Sequence, residues 1–315
     1  YVIAGGYMAT AINDFIQGII MLFGIATVIA AVLNSKGGFM AALDGLAKVS
    51  DPAVTDTPGI FASFFGPDPL NLLFVVILTS LGTWGLPQMV QKFYAIKDEK
   101  SIKKGTIIST IFALVVAGGS YFLGGFGRLF SDEIDVAANG YDSIIPTMLS
   151  GLSLMLIALV VILVLSASMS TLSSLVIASS STLTIDFLKD NFIKDMSDKK
   201  QVLSIRILVV VFIAISSILA LIQYKSSITF IAQLMGVSWG ALAGSFLAPF
   251  MYSLYSKRVT KASCWVCFIF SSVLMIANIF FRSSFPTIMQ SPINCGAIAM
   301  LAGLVIVPVV SLFTP

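Results

Sequence analysis

Eight apolar stretches, each long enough to cross a bilayer, partition this chain. They lie near 8–33, 70–92, 105–126, 148–186, 203–223, 227–255, 262–281 and 294–313. A helical crossing takes about 20 apolar residues, because each adds about 1.5 Å to a hydrocarbon path of about 30 Å. The pattern predicts an all-α, polytopic membrane protein with a single membrane domain over 1–315. Charged residues make up only 10% of the 315, where a soluble domain carries about 25%. A net charge of +3 is too small to point to nucleic acid. The expected surroundings are the lipid bilayer.

The basic residues alternate from loop to loop. Lys92, Lys97, Lys100, Lys103 and Lys104 follow the second stretch, Lys189, Lys194, Lys199, Lys200 and Arg206 the fourth, and Lys257, Arg258 and Lys261 the sixth. Together they are thirteen of the eighteen basic residues; Lys36, Lys48, Arg128, Lys225 and Arg282 are the others. The positive-inside rule then puts the basic loops, the start of the first span and the C-terminus in the cytoplasm. The two long outside loops, 34–69 and 127–147, hold eight of the fifteen acidic residues and several prolines, and are expected to form short surface helices. The chain opens on Tyr1 at the edge of an apolar stretch, with no charged leader, and reads as a fragment lacking its N-terminal part.

There is no histidine, which removes His-based zinc sites, general bases and triads together. Cys264 and Cys267 form a CxxC inside an apolar run and read as small apolar thiols rather than a redox pair.

The densest polarity at membrane depth lies in Leu165–Thr182. On a helix, Ala167, Ser170, Thr171, Ser174, Ala178 and Ser181 share one face. Serine in a membrane helix ordinarily bonds its own i−4 carbonyl, but Ser170, Thr171, Ser173 and Ser174 crowd two adjacent faces of one turn. Neutral oxygens gathered this way suit a hard cation such as sodium. Asp14 is the one charged residue well inside a span, extended by Thr10, Asn13 and Gln17. An intramembrane carboxylate is costly and marks a functional site by default, the alternative being a helix-end residue at the headgroups.

Gly82, Gly85 and Pro87 crowd the second span, and read either as a broken helix exposing backbone groups or as a simple proline kink. The glycines of the third span read as packing positions. Gly236, Gly240 and Gly244 form a small-residue face on the sixth, which Pro249 should bend. Spans seven and eight read as plain, peripheral helices.

Ala167-Ser-Met-Ser-Thr-Leu-Ser-Ser174, with Ser179-Ser-Ser-Thr and Asp186, resembles the signature helix of the sodium:solute symporter family. Gly5-Gly to Gln17 resembles that family's fifth core helix. Gly85-Leu-Pro-Gln and Tyr94-Ala-Ile-Lys-Asp resemble its sixth, nearest the proline and pantothenate branch, and Trp239 to Pro249 its tenth. The resemblance implies an inverted-repeat, leucine-transporter-like core, here helices five to ten plus two more. It implies a sodium-coupled symporter of the cell (inner) membrane, a monomer importing a small organic solute such as proline or pantothenate by alternating access. By resemblance Ala167, Ser170 and Thr171 match the main sodium site, and Asp14, Ser173 and Ser174 a second. Ser80, Thr83 and Trp84 are the substrate-cavity candidates, and Na+ is the coupling ion. Three other readings compete: a channel, which needs polar stripes on several helices; a membrane enzyme, which needs a paired nucleophile and base; and a proton-coupled carrier using Asp14.

Overall fold

The computed structural model describes residues 2–94, 96–134, 140–226 and 231–314. The first four residues of the expected sixth span, 227–230, lie outside them. In chain order the helices are α1 (Val2–Ser35), α2 (Phe39–Lys48), α3 (Pro69–Gly82), α4 (Pro87–Phe93), α5 (Glu99–Gly125), α6 (Ile144–Ser150), α7 (Leu154–Thr182), α8 (Asp198–Ser226), α9 (Ile231–Tyr255), α10 (Lys261–Phe280), α11 (Thr287–Gln290) and α12 (Pro292–Phe313). No strand is present among the described residues. Seven of these helices are long and apolar enough to cross a membrane. The protein is an all-α, polytopic membrane protein.

The chain forms two compact units, Tyr1–Ala62 with Ile96–Ile228 and Ser63–Ala95 with Thr229–Pro315. In the first unit α1 packs against α7 and α5, and α8 lies on α7. Ile25, Val28 and Val32 of α1 meet Leu123 of α5, Phe130, and Met148 and Leu149 of α6 in one apolar core. The expected surface helices form a layer over one end. Ala42 and Leu46 of α2 bury against Phe126. Arg128 pairs with Asp51 at 2.7 Å and lies 4.2 Å from the Phe61 ring. Lys36 Nζ donates to the Leu129 carbonyl at 3.1 Å and sits 3.8 Å over the Phe130 ring.

The fourth span differs at both ends from the sequence reading. The fourth span was expected from 148, but α6 ends at Ser150 and α7 starts only at Leu154. Ser153 takes an extended conformation (φ −59°, ψ 150°) and its carbonyl accepts from Ile157 N–H, so the chain turns between two helices. At its far end α7 continues as a wider, i→i+5 turn over Leu183–Lys189. Gly6 interrupts α1 with φ 57° and ψ −149°, a conformation open to glycine because it lacks a Cβ.

In the second unit the helix of the second span is broken. After α3 come a tight turn at Thr83–Gly85 and an extended Leu86 (φ −89°, ψ 118°), and Pro87 begins α4. Proline gives no N–H to the carbonyl one turn back and fits the first position of a new helix. Close packing holds the break: a Cβ on Gly85 would fall 2.8 Å from Ala243 Cα of α9. Pro249, by contrast, lies inside the continuous helix α9, so no chain break occurs there. Its missing N–H costs one intrahelical bond, which the neighbouring turns of α9 bridge.

The eighth span is not peripheral within its unit. Cys295, Ala297, Ala299, Met300 and Val307 of α12 are fully buried. The glycine face of α9 explains this. A Cβ on Gly236 would fall 2.8 Å from Ile293 N, and one on Gly303 of α12 would fall 3.0 Å from the Gly244 carbonyl. Without side chains between them the two backbones gain dispersion contacts along their length. On α10, Cys267 is a buried free thiol whose Sγ donates to the Gly244 carbonyl, and Cys264 is half-buried and free.

Candidate functional site: the seam between α1 and α7

The two helices run antiparallel. Gly5, Gly6 and Tyr7 share a cavity of about 330 Å³ with Ile177 and Ser181, and further along α1 Gly24 is pressed against the Leu163 side chain. This register places Asp14 within a turn of Ser173. Thr10 and Gln17 are buried on α1, Asn13 and Asp14 half-buried. On α7 the buried polar positions are Ser166, Ser173 and Ser180, continued by Thr184 in the wide turn.

That stripe is rotated from the face expected on sequence. At about 100° per residue, Ser173 stands about 60° from Ser170, about 100° from Ser174 and about 160° from Thr171. Accordingly Ala167, Ser170 and Ser174 are half-buried and Thr171 is exposed. Asp14 and Ser173 are therefore brought to one level of the seam, while Ala167, Ser170 and Thr171 line the flank of α7. Asp186 is exposed. The seven-residue spacing of Ser166, Ser173 and Ser180 is the sequence signal for the buried stripe. It is easily overlooked beside the denser run at 170–174.

Several of these oxygens have spare coordination. Ser173 Oγ donates its one proton to the Met169 carbonyl at 2.5 Å, the ordinary i−4 bond. Thr10 Oγ1 donates to the Gly6 carbonyl at 3.0 Å, bracing the interruption of α1. Gln17 Oε1, Ser180 Oγ and Thr184 Oγ1 are buried with no hydrogen-bond partner among the described residues. An orphaned acceptor at this depth costs desolvation energy that a ligand can return. Carboxylate, amide and hydroxyl oxygens on two facing helices suit a hard cation and offer nothing to a soft one.

The substrate-cavity candidates lie in the second unit at the helix break. Ser80 is exposed, Thr83 is half-buried with its Oγ1 donating to the Ser80 carbonyl at 2.9 Å, and Trp84 is 58% exposed. Thr83 and Trp84 line a cavity of about 620 Å³ with Met89, Phe93, Tyr94 and Phe250. That volume suits a small organic molecule, and the aromatic walls give it an apolar, weakly polarised lining.

Comparison with known proteins agrees with this architecture. The sodium:solute symporter family matches residues 1–271. The chain is 30% identical over 274 residues to the sodium/proline symporter of Staphylococcus aureus, covering 83% of this chain and 50% of that protein. It is 26% identical over 262 residues to the osmoregulated proline transporter OpuE of Bacillus subtilis, covering 83% and 51%. It is 26% identical over 287 residues to the sodium/pantothenate symporter of Escherichia coli, covering 87% and 55%. The chain thus spans about half the length of the curated relatives it matches. With the family's match running from the interrupted α1 through the hydroxyl helix to α10, this chain belongs to the sodium:solute symporter family.

Proposed function

We propose that the chain carries the cation-binding part of a sodium-coupled symporter of the cell membrane that imports a small organic solute. An amino acid such as proline, or a small carboxylate such as pantothenate, is the substrate class, in keeping with the names of its relatives. The observation that carries this reading is the α1–α7 seam, where Asp14 and the orphaned Gln17 Oε1 lie near the level of buried Ser173.

In this reading Asp14, Ser173 and Ser174 form one sodium site, with Gln17 added to it. Ala167, through its carbonyl, and Ser170 and Thr171 supply the α7 side of the main site. The flank position of these three suits a site completed by a further helix. Solute binds at Ser80, Thr83 and Trp84 beside the α3–α4 break, whose backbone departs from helical geometry at Leu86. The core is the inverted-repeat type and works by alternating access, with the basic loops in the cytoplasm. Sodium can drive such a cycle only by binding one state more tightly than the other, and a tenfold difference corresponds to about 1.4 kcal/mol.

Uptake into proteoliposomes with and without an inward sodium gradient tests the proposal; equal uptake in both refutes the coupling. The proton-coupled alternative using Asp14 is not favoured by the family assignment. Asp14→Asn separates the two, because it alters the sodium dependence in one case and the pH dependence in the other.

A further inference from the structure

A groove between α9 and α10 shares no residue with the cavity at Trp84. It has a volume of about 450 Å³ and is lined chiefly by Phe246 and Pro249 of α9 and by Lys261, Cys264, Trp265 and Phe268 of α10. Its aromatic wall is built. Phe246 and Phe268 meet edge to face at 5.9 Å between centroids and 70°, Trp265 and Phe268 at 5.9 Å and 80°. Yet the wall is open to the surroundings, with Phe246 40%, Trp265 56% and Phe268 40% exposed. On two helices long and apolar enough to cross a membrane, an open apolar slot is suited to hydrocarbon.

Charge is polarised along the slot. Lys261 is the first residue of α10, and Phe268 lies seven residues on, about 10 Å deeper at the helical rise. Lys257 and Arg258 occupy the turn beside Lys261. From Lys199 to the last residue the sequence has eight basic residues and no acidic one. The acid of this unit is Asp68, which caps α3 by accepting from Asn71 N–H at 3.0 Å. Among the described residues no carboxylate pairs with Lys257, Arg258 or Lys261. These three cations are exposed and open to an anion from the surroundings.

We infer that the α9–α10 groove binds one anionic phospholipid, its acyl chain lying against Phe246, Trp265 and Phe268 and its phosphate on Lys261. The long lysine stem covers apolar surface while its ammonium reaches headgroup level, and Trp265 one turn deeper matches the amphipathic boundary that tryptophan favours. Lys257 and Arg258 attract the net charge of the headgroup without entering the slot. The site does not depend on sodium coupling.

Native mass spectrometry of the detergent-purified protein tests it, titrating phosphatidylglycerol against phosphatidylcholine of the same acyl chains. One saturable adduct is expected, with phosphatidylglycerol preferred. Lys261→Gln lowers that preference about fivefold, the contribution of one surface cation, and leaves phosphatidylcholine binding unchanged. Cys264→Phe fills the slot and removes the adduct of both lipids. If Cys264→Phe fails to fold, Trp265→Ala serves in its place and weakens both. Arg282→Gln, beyond the opposite end of α10, changes neither. The inference is overturned if the two lipids bind equally, if Arg282→Gln acts as Lys261→Gln does, or if Cys264→Phe, or Trp265→Ala in its place, leaves the adduct unchanged. A dimer of this chain that Cys264→Phe dissolves also overturns it, by giving the groove to a second copy.

Discussion

Gly240 of α9 and Gly296 of α12 meet backbone to backbone: a Cβ on Gly240 would fall 2.6 Å from Gly296 Cα and 2.8 Å from the Met275 sulfur. Three helices converge on that point, so a side chain there must push a backbone aside. Gly240→Val is expected to destabilise the protein by about 1–3 kcal/mol or more. Gly124→Val in α5, where the added Cβ meets nothing within 4 Å, leaves the packing intact. Thermal unfolding of the two variants followed by size-exclusion chromatography gives the comparison. Equal losses would mean that the close approach does not hold α9 and α12 together.

The seam predicts opposite effects on stability and on ion affinity. Gln17 Oε1 is buried without a partner among the described residues, so Gln17→Leu removes a desolvation cost of about 1–3 kcal/mol. Without sodium the variant should melt higher than the parent. With sodium, its ion-induced stabilisation should shrink. Asp14→Asn, which removes the seam's negative charge, should raise the sodium needed for half-maximal stabilisation by about tenfold or more, equivalent to at least ~1.4 kcal/mol. A Gln17→Leu protein that keeps the full sodium-induced shift would remove Gln17 from the site.

Arg128 ties the loop layer together through Asp51 and the Phe61 ring, with side chains 38% and 31% exposed in the ion pair. Solvent screening at that exposure limits the pair to about 0.5–1 kcal/mol. A double-mutant cycle with Arg128→Gln and Asp51→Asn should return a coupling of that order, weakened by salt. Arg128→Lys should not restore the parent, since an ammonium lacks the flat face that lies on Phe61.

Asp98 caps α5, accepting from Ser101 N–H at 2.7 Å. The backbone and side-chain hydrogen bonds from Ser101 hold its carboxyl below the ordinary 3.8. A depressed folded-state pKa contributes stability that is fully present above the ordinary value and drains away as pH falls through the lowered one. The Ser101 amide should therefore keep its protection from exchange at pH 5 and lose it as pH falls through the lowered value. Asp98→Asn should flatten that dependence while keeping much of the cap.

The apolar runs made the spanning helices legible, because each crossing must satisfy its own backbone and leaves a long unbroken signature. The break at Gly82–Pro87 was readable as one of two options, and what decided it is the contact of Gly85 with Ala243, which lies far away in sequence. The central place of α12 was hidden, since Gly296, Ala297, Ala299 and Gly303 look featureless until the matching glycines of α9 are laid against them. At the seam the carboxylate of Asp14 and the hydroxyl of Ser173 were both legible. The orientation of α7 was not. Which of several serines turns inward depends on α1, through contacts such as Gly24 on Leu163.

The wide turn at Leu183–Lys189 carries a lesson in bearings. Each residue there advances less far around the axis than in the preceding α-helix, so compass positions projected from Ser173 drift out of true by Asp186. Thr184 stays on the inward side, while Asp186 turns to the exterior. Wheel diagrams of this stretch need a fresh origin at Leu183. The wide turn absorbs one extra residue, so a deletion of one residue there would restore ordinary α-helix and keep the tail close to its present heading, with the hydroxyl-bearing turns before it undisturbed.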